Sequence, residues 1–172
     1  MKATPAMPAA AMLAVLLWSV TAIAPVLHAQ NAGPDPAKPA PAMTDDGLHQ
    51  MLTNMGYEPK KLTKGSSIAI KRDTWTFPLQ LVLSKDATKL GINANLGTVD
   101  NPDGVAARSW KQLLIANADV DPSSFYLDKD TNRLYLHRSV DTRAIDPAYL
   151  RAQIENVCSN IKDTADVWKL GK

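Results

Sequence analysis

Cysteine, aromatic residues and net charge are all scarce in this chain of 172 residues. The single cysteine, Cys158, excludes an internal disulfide framework and a cysteine-cluster metal site. Nineteen basic and 17 acidic side chains leave a net charge of +2, which gives no support for a nucleic-acid-binding protein that neutralises phosphates. Neither a Gly-x-Ser-x-Gly elbow nor a phosphate-binding glycine loop occurs in the sequence. We therefore predict a non-enzymatic protein with no cofactor and no metal.

Residues 1–29 are typical of a secretory signal peptide. Lys2 is the only charge before an apolar run from Ala9 to Ala24. We expect cleavage after Ala29, and the alternative is cleavage after Ala24, where a small-x-small site precedes a proline. An uncleaved membrane anchor also stays open, although the run is somewhat shorter than the roughly 17–25 residues of a spanning helix. The mature protein is expected to be secreted or periplasmic, with no membrane attachment after cleavage.

A proline-rich segment separates this leader from the folded part of the chain. Residues 30–43 hold four of the prolines and almost nothing that could fill a core. This composition favours extended polyproline II, which is typical of a semi-rigid spacer. A ligand for a proline-recognition groove is the alternative. The folded domain is predicted over 44–172.

Hydrophobic periodicity divides the domain into three helices and five strands. Helices are predicted over 45–55, over about 104–117 and from a cap at Asp146, and strands over 67–72, 75–84, 90–96, 124–128 and 133–138. Pro78 indicates that the second strand lies at an edge or begins irregularly. In the second helix the residues expected to face inward are Ala106, Trp110, Leu113, Leu114 and Asn117. The order α-β-β-β-α-β-β-α with short turns predicts an α+β domain with a mainly antiparallel sheet.

Six short segments together match a pattern of helix caps and regularly spaced apolar residues. They are LTNMGY at 52–57, LVLSKD at 81–86, LLIAN at 113–117, FYLD at 125–128, RLYLHR at 133–138 and IDPAYL at 145–150. This pattern resembles the YbjN-like family of bacterial sensory-transduction-regulator-like proteins, which shares the fold of type III secretion chaperones. The resemblance covers about 44–166. It implies a curved antiparallel sheet, frequent dimerisation and relatives that bind polypeptide segments, and it supplies no catalytic residues.

One row of side chains is the leading candidate for partner binding. Arg133, Tyr135 and His137 share one face of their predicted strand. An arginine and a tyrosine can bind a carboxylate or the polar face of a peptide, although alternation alone also places polar residues on the solvent side of a sheet. The predicted partner is a polypeptide or a second copy of the chain, bound through a sheet edge or an apolar helix face. The alternative is a small exported enzyme or small-ligand-binding protein with a cleft between helix and sheet.

A calcium loop is the metal site that the spacing of polar residues comes nearest to matching. Asp128, Asp130 and Asn132 have the opening spacing of such a loop. Arg133 stands where the loop needs glycine, and Ser139 stands where it needs a bidentate glutamate. A hairpin turn explains the same residues, and we favour it.

Histidine, cysteine and aromatic side chains have mainly structural interpretations. His49 is expected to be exposed, and together with His137 it has no predicted ligand neighbours that would make a metal site. Cys158 falls on the predicted buried face of the third helix, where a thiol behaves as a small hydrophobe. Core or dimer-interface positions are expected for most of the aromatic residues, with a peptide-binding groove as the alternative. They are Tyr57, Trp75, Trp110, Tyr126, Tyr135, Tyr149 and Trp168.

Overall fold

A six-stranded antiparallel sheet organises residues 42–170, the part of the chain that the computed structural model describes. Its strands are β1 (Lys60–Lys61), β2 (Ser66–Arg72), β3 (Trp75–Leu83), β4 (Lys89–Thr98), β5 (Ser123–Leu127) and β6 (Arg133–Asp141). The helices are α1 (Asp45–Asn54), α2 (Ala107–Ala116), α3 (Pro147–Asp163) and α4 (Ala165–Trp168). The strand order across the sheet is β1-β2-β3-β4-β6-β5. The predicted α+β class is confirmed, whereas the signal peptide and most of the linker lie outside the described residues.

Local sequence signals account for where the helices begin and end. The Thr44 hydroxyl accepts a hydrogen bond of 3.0 Å from the Gly47 N–H, and the Asp146 carboxylate accepts one of 2.7 Å from the Tyr149 N–H. Pro147 follows at the first helical position, where its missing N–H costs nothing. Gly56 ends the first helix with a φ of 85°, which glycine adopts without strain.

The core lies between one face of the sheet and the helices. Alternate residues of β3 and β6 are buried, which is the pattern of strands with one covered face. Helix α1 contacts β2, and α3 contacts β4 and β6. Fully buried members include Leu48, Leu52, Leu79, Leu81, Leu90, Ile92, Leu136, Leu150, Ile154 and Val157. Among the helices of residues 42–170, none is long and apolar enough to span a bilayer.

Several expectations about individual residues are wrong. Of the two alternatives for Pro78, the edge position is wrong, because β3 pairs with β2 on one side and with β4 on the other, whereas pairing with β4 does start irregularly, only at Leu79. Leu114 and Ala106 were expected to face inward, but Leu114 is 70% exposed and Ala106, which precedes α2, is exposed as well, because α2 buries only Leu113 and Ala116. The order of elements otherwise agrees, with the two-residue β1 and the single-turn α4 added to the predicted set.

Candidate functional site

The predicted row on β6 lies on the sheet face that points away from the helices. Arg133, Tyr135 and His137 alternate with Leu134 and Leu136, which are buried. Neighbouring strands expose residues on this same face, and no helix of residues 42–170 covers it. We call it the open face, and it comprises Ser67, Ala69, Lys71, Thr76, Pro78, Gln80, Gly91, Asn93, Asn95, Ser124, Tyr126, Arg133, Tyr135, His137 and Ser139.

An aromatic cluster occupies one end of the open face. Tyr126 on β5 lies opposite Tyr135 on β6, and their rings stack with centroids 5.2 Å apart and 15° between the planes. The His137 ring packs edge-on against Tyr126 at 6.3 Å. Tyr126 is 42% exposed. The cluster therefore offers solvent a large planar surface that the sheet holds in place.

The His137 ring is held in a tight polar setting beside this cluster. Its Nδ1–H donates a hydrogen bond to Oδ1 of Asn93 on the paired strand β4, with 2.8 Å between the two atoms. Gly91 supplies the space, because a Cβ there would lie 3.2 Å from Cε1 of His137. Burial disfavours the charged ring and lowers the pKa of His137 below its ordinary value of 6.5. The ring is therefore mainly neutral near pH 7.

We expect acidification to weaken the folded state partly through His137. With its pKa lower in the folded chain than in the unfolded chain, the unfolded chain binds more protons once the pH falls below about 6.5. Stability then decreases as the pH drops through that window. Urea denaturation at about pH 7.5 and about pH 5.5 measures the decrease, and His137→Gln should reduce it because the amide does not titrate. An equal pH dependence in the variant would contradict this assignment.

A shallow cavity occupies the other end of the open face. It encloses about 480 Å³ over strands β2, β3 and β4. Its floor includes the small side chains of Ser67, Ala69 and Pro78, and Lys60 and Lys71 stand beside them. The open face thus combines an exposed aromatic surface with a depression lined by small residues. An extended peptide can fit a surface of this shape.

The two edges of the sheet differ in their ability to accept another strand. At the β5 edge the Phe125 N–H already donates to Oδ1 of Asn117, 2.6 Å away, so α2 closes that position. At the opposite edge, β1 pairs only with Ser66 and Ser67 of β2. Among the described residues, no strand pairs with the rest of β2 on that side. Pairing through a sheet edge, if it occurs, is favoured at β2.

The other motifs serve structure. The Asp128 carboxylate accepts hydrogen bonds of 3.1 Å and 2.8 Å from the N–H groups of Asp130 and Thr131, which makes a closed turn of the calcium-like sequence. Cys158 is 1% exposed, and burial raises the pKa of its thiol to about 11, so it carries no thiolate at neutral pH. His49 is half-buried rather than exposed, with Nδ1 3.2 Å from the Ser66 hydroxyl.

Sequence reasoning missed a polar cluster under the helices. Arg138 on β6 points into the core and is 9% exposed. Its Nε donates to Oε1 of Gln153 on α3 over 2.5 Å, and its Nη1 lies 3.4 Å from the Ser123 hydroxyl. The alternation of β6 was the available signal, since position 138 is in phase with Leu134 and Leu136. Within residues 42–170, no group of three or more histidine, cysteine or acidic side chains could hold a metal ion.

Comparison with known proteins identifies the fold. No family model and no curated protein matches the sequence. The structure has the YbjN-like, secretion-chaperone-like α+β fold that the sequence pattern implied. YbjN from E. coli superposes with a TM-score of 0.53 at 12% identity, over 76% of this chain and 98% of that one.

Two solved complexes contain chains of similar fold. A chain of the ExsC–ExsE complex superposes with a TM-score of 0.51 at 15% identity, over 70% of this chain and 89% of its own length. A chain of the heterodimeric ExoU–SpcU complex, from the type III secretion system of Pseudomonas aeruginosa, gives 0.51 at 15% identity, over 70% and 96%. At these identities the likeness concerns the fold.

Proposed function

We propose that this chain is an exported, non-enzymatic module that binds a segment of another polypeptide on the open face of its sheet. The observation that carries the proposal is the composition of that face, where a stacked tyrosine pair with Tyr126 exposed, an arginine and a cavity of small residues lie side by side. Tyrosine and arginine are the residue types that dominate binding energy at protein interfaces. Two of the proteins with similar folds were solved in complex with a second protein, which supports a polypeptide as the partner.

The surface suggests how such a segment is held. The Arg133 guanidinium forms no ion pair with the described residues, so it is available to a carboxylate of the partner. Tyr126 and Tyr135 offer their ring faces to apolar or proline side chains. The cavity over Ala69 and Pro78 leaves room for the main chain to lie close to the sheet. An extended segment crossing the strands would use all three features at once.

The double substitution Arg133→Ala/Tyr135→Ala is expected to weaken partner binding at least about tenfold, because it removes both the charged and the aromatic anchor. Cross-linking and mass spectrometry in the native host identify the partner, and calorimetry with the purified partner measures the affinity.

The matched control is Arg108→Ala/Tyr149→Ala. It removes the same two residue types from exposed positions on α2 and α3, on the helical side of the molecule. Unchanged affinity in the control with a loss in the open-face variant supports the proposal. Wild-type affinity in the open-face variant would refute it.

Export and self-association form the remaining parts of this proposal. We place the mature protein outside the cytoplasm on the basis of the leader sequence, and N-terminal sequencing of protein from the host envelope tests it.

A second copy of the chain is the alternative partner, for which the exposed Leu114 and Ile115 of α2 offer an apolar surface. Light scattering on the purified protein separates a homodimer from a monomer that needs a different partner.

A further inference from the structure

The ladder between β3 and β4 stops at Pro78. The Ser84 N–H donates to the Lys89 carbonyl over 2.8 Å, and the same register continues to Leu79 opposite Ala94. Since bonded pairs alternate in an antiparallel ladder, the next bonded pair would join Pro78 and Asn95. Proline has no N–H to donate, so that pair loses its second bond. Pairing between the two strands ends at this point in the described structure.

Beyond Pro78 the two strands follow different neighbours. Residues 75–78 of β3 remain paired with β2, while β4 follows β6 through an irregularity between Asn95 and Gly97. The Asn95 side chain accepts a hydrogen bond of 3.0 Å from the Gly97 N–H, and Gly97 has a φ of 118° that favours glycine. The sheet is therefore split at this end.

An apolar cavity of about 390 Å³ lies in this split. Its walls come from the two separated strands and from the end of the helical layer, and its lining includes Trp75, Phe77, Leu96, Ile161 and Trp168. The Trp168 ring is anchored by a 2.7 Å hydrogen bond from its Nε1–H to the Ile161 carbonyl. The volume and the mainly apolar lining are typical of a site for a small ligand.

The Lys169 side chain places a cation beside this cavity. The Lys169 ammonium lies 5.1 Å from the ring centroid of Trp75 and 5.7 Å from that of Trp168, two rings that line the cavity. No carboxylate within residues 42–170 pairs with it. None of the lining residues is charged. An apolar chamber with a cation beside it is complementary to a molecule that has an apolar chain and one negative head.

We propose that the split between β3 and β4 binds an amphiphilic carboxylate, a medium-length acyl chain with a free anionic head. The chain fills the space between Trp75, Phe77 and Trp168, and the head lies against the Lys169 ammonium. This cavity shares Pro78 and Asn95 with the depression on the open face, but the tyrosine pair does not line it, and the proposal does not depend on polypeptide binding at that face.

The test uses tryptophan fluorescence of the full chain. Replacing Trp110 by Phe, and Trp18 as well in protein that retains the leader, leaves Trp75 and Trp168, the two tryptophans of the cavity, as the emitters. A terminally brominated undecanoic acid should quench them saturably at concentrations below its micelle point. Lys169→Gln is expected to weaken that binding about fivefold, the upper range for an exposed ion pair, and to leave binding of the matching brominated alcohol unchanged.

Lys162→Gln is the matched control, because this nearby lysine is paired with Asp73 at 3.4 Å and does not line the cavity. It should bind the acid like the wild type. Absence of saturable quenching would overturn the proposal. So would equal binding of acid and alcohol with no effect of Lys169→Gln, since the head would then not be recognised. Displacement of the probe by a short apolar peptide but not by decanoate would assign the cavity to a polypeptide instead.

Discussion

Replacing Arg138 by alanine is expected to lower the free energy of unfolding by about 3 kcal/mol. The side chain is 9% exposed and spans the layer between β6 and α3. Gln153 and Ser123 are 7% and 4% exposed, and each accepts one hydrogen bond from Arg138. The alanine variant removes that bond from both. It also empties the volume that the long stem fills. Urea denaturation of the purified variant measures the loss.

The positive charge itself is not expected to stabilise the fold. No carboxylate within residues 42–170 pairs with Arg138, so the guanidinium is desolvated against neutral acceptors alone. Arg138→Met should therefore cost less than the alanine variant, because methionine restores most of the packing. Arg138→Met/Gln153→Met should lie within about 1 kcal/mol of the wild type, because the Gln153 amide is then gone as well and the Ser123 hydroxyl keeps Nδ2 of Asn160 at 3.4 Å.

The same series has a clear contrary outcome. If the double methionine variant is as unstable as Arg138→Ala, the hydrogen-bonded cluster contributes net stability that apolar packing cannot replace. With the single variant Gln153→Met added, the wild type, the two single methionine variants and the double variant form a double-mutant cycle that gives the coupling between positions 138 and 153. A coupling near zero would mean that the short Nε to Oε1 contact does not contribute to folding.

Hydrophobic periodicity and helix capping predicted the helices and strands because both depend on residues close together in the sequence. The first helix, the Asp146 cap and the shared face of Arg133, Tyr135 and His137 depend on residues near one another in sequence, and each is found where expected. The place of Pro78 depends on which strands flank β3, which local sequence does not encode. Leu114 was misplaced for a related reason: what α2 packs against is decided by the tertiary arrangement, and α2 turns this side chain to solvent.

The sequence predicted only part of the candidate site. The shared face of Arg133, Tyr135 and His137 follows from the pleat of one strand. Tyr126 and Asn93 join them through pairing with β5 and β4, and that register has no signal in the β6 sequence. The split beside Pro78 likewise needs the register of two strands, although the proline itself indicated an irregularity.

The second large effect is expected in β6, where adjacent residues face opposite sides of the sheet. Leu136→Ala should lower the free energy of unfolding by about 3 kcal/mol, since this side chain is fully buried between Ala94 and Phe125 of the paired strands. Tyr135→Ala should cost about 1 kcal/mol or less, because it removes a stacked pair on the open face without leaving a core cavity. Thermal and urea unfolding of the two variants measure the difference.

This contrast decides how the binding experiment is interpreted. If Tyr135→Ala leaves the domain folded, a loss of partner binding in the open-face variant comes from the surface and not from unfolding. If the two substitutions cost the same, Tyr135 is buried in a contact that the isolated domain does not show, such as one with a second copy of the chain. The tyrosine pair would then be an internal contact, and the search for a polypeptide ligand would move to the free edge of β2.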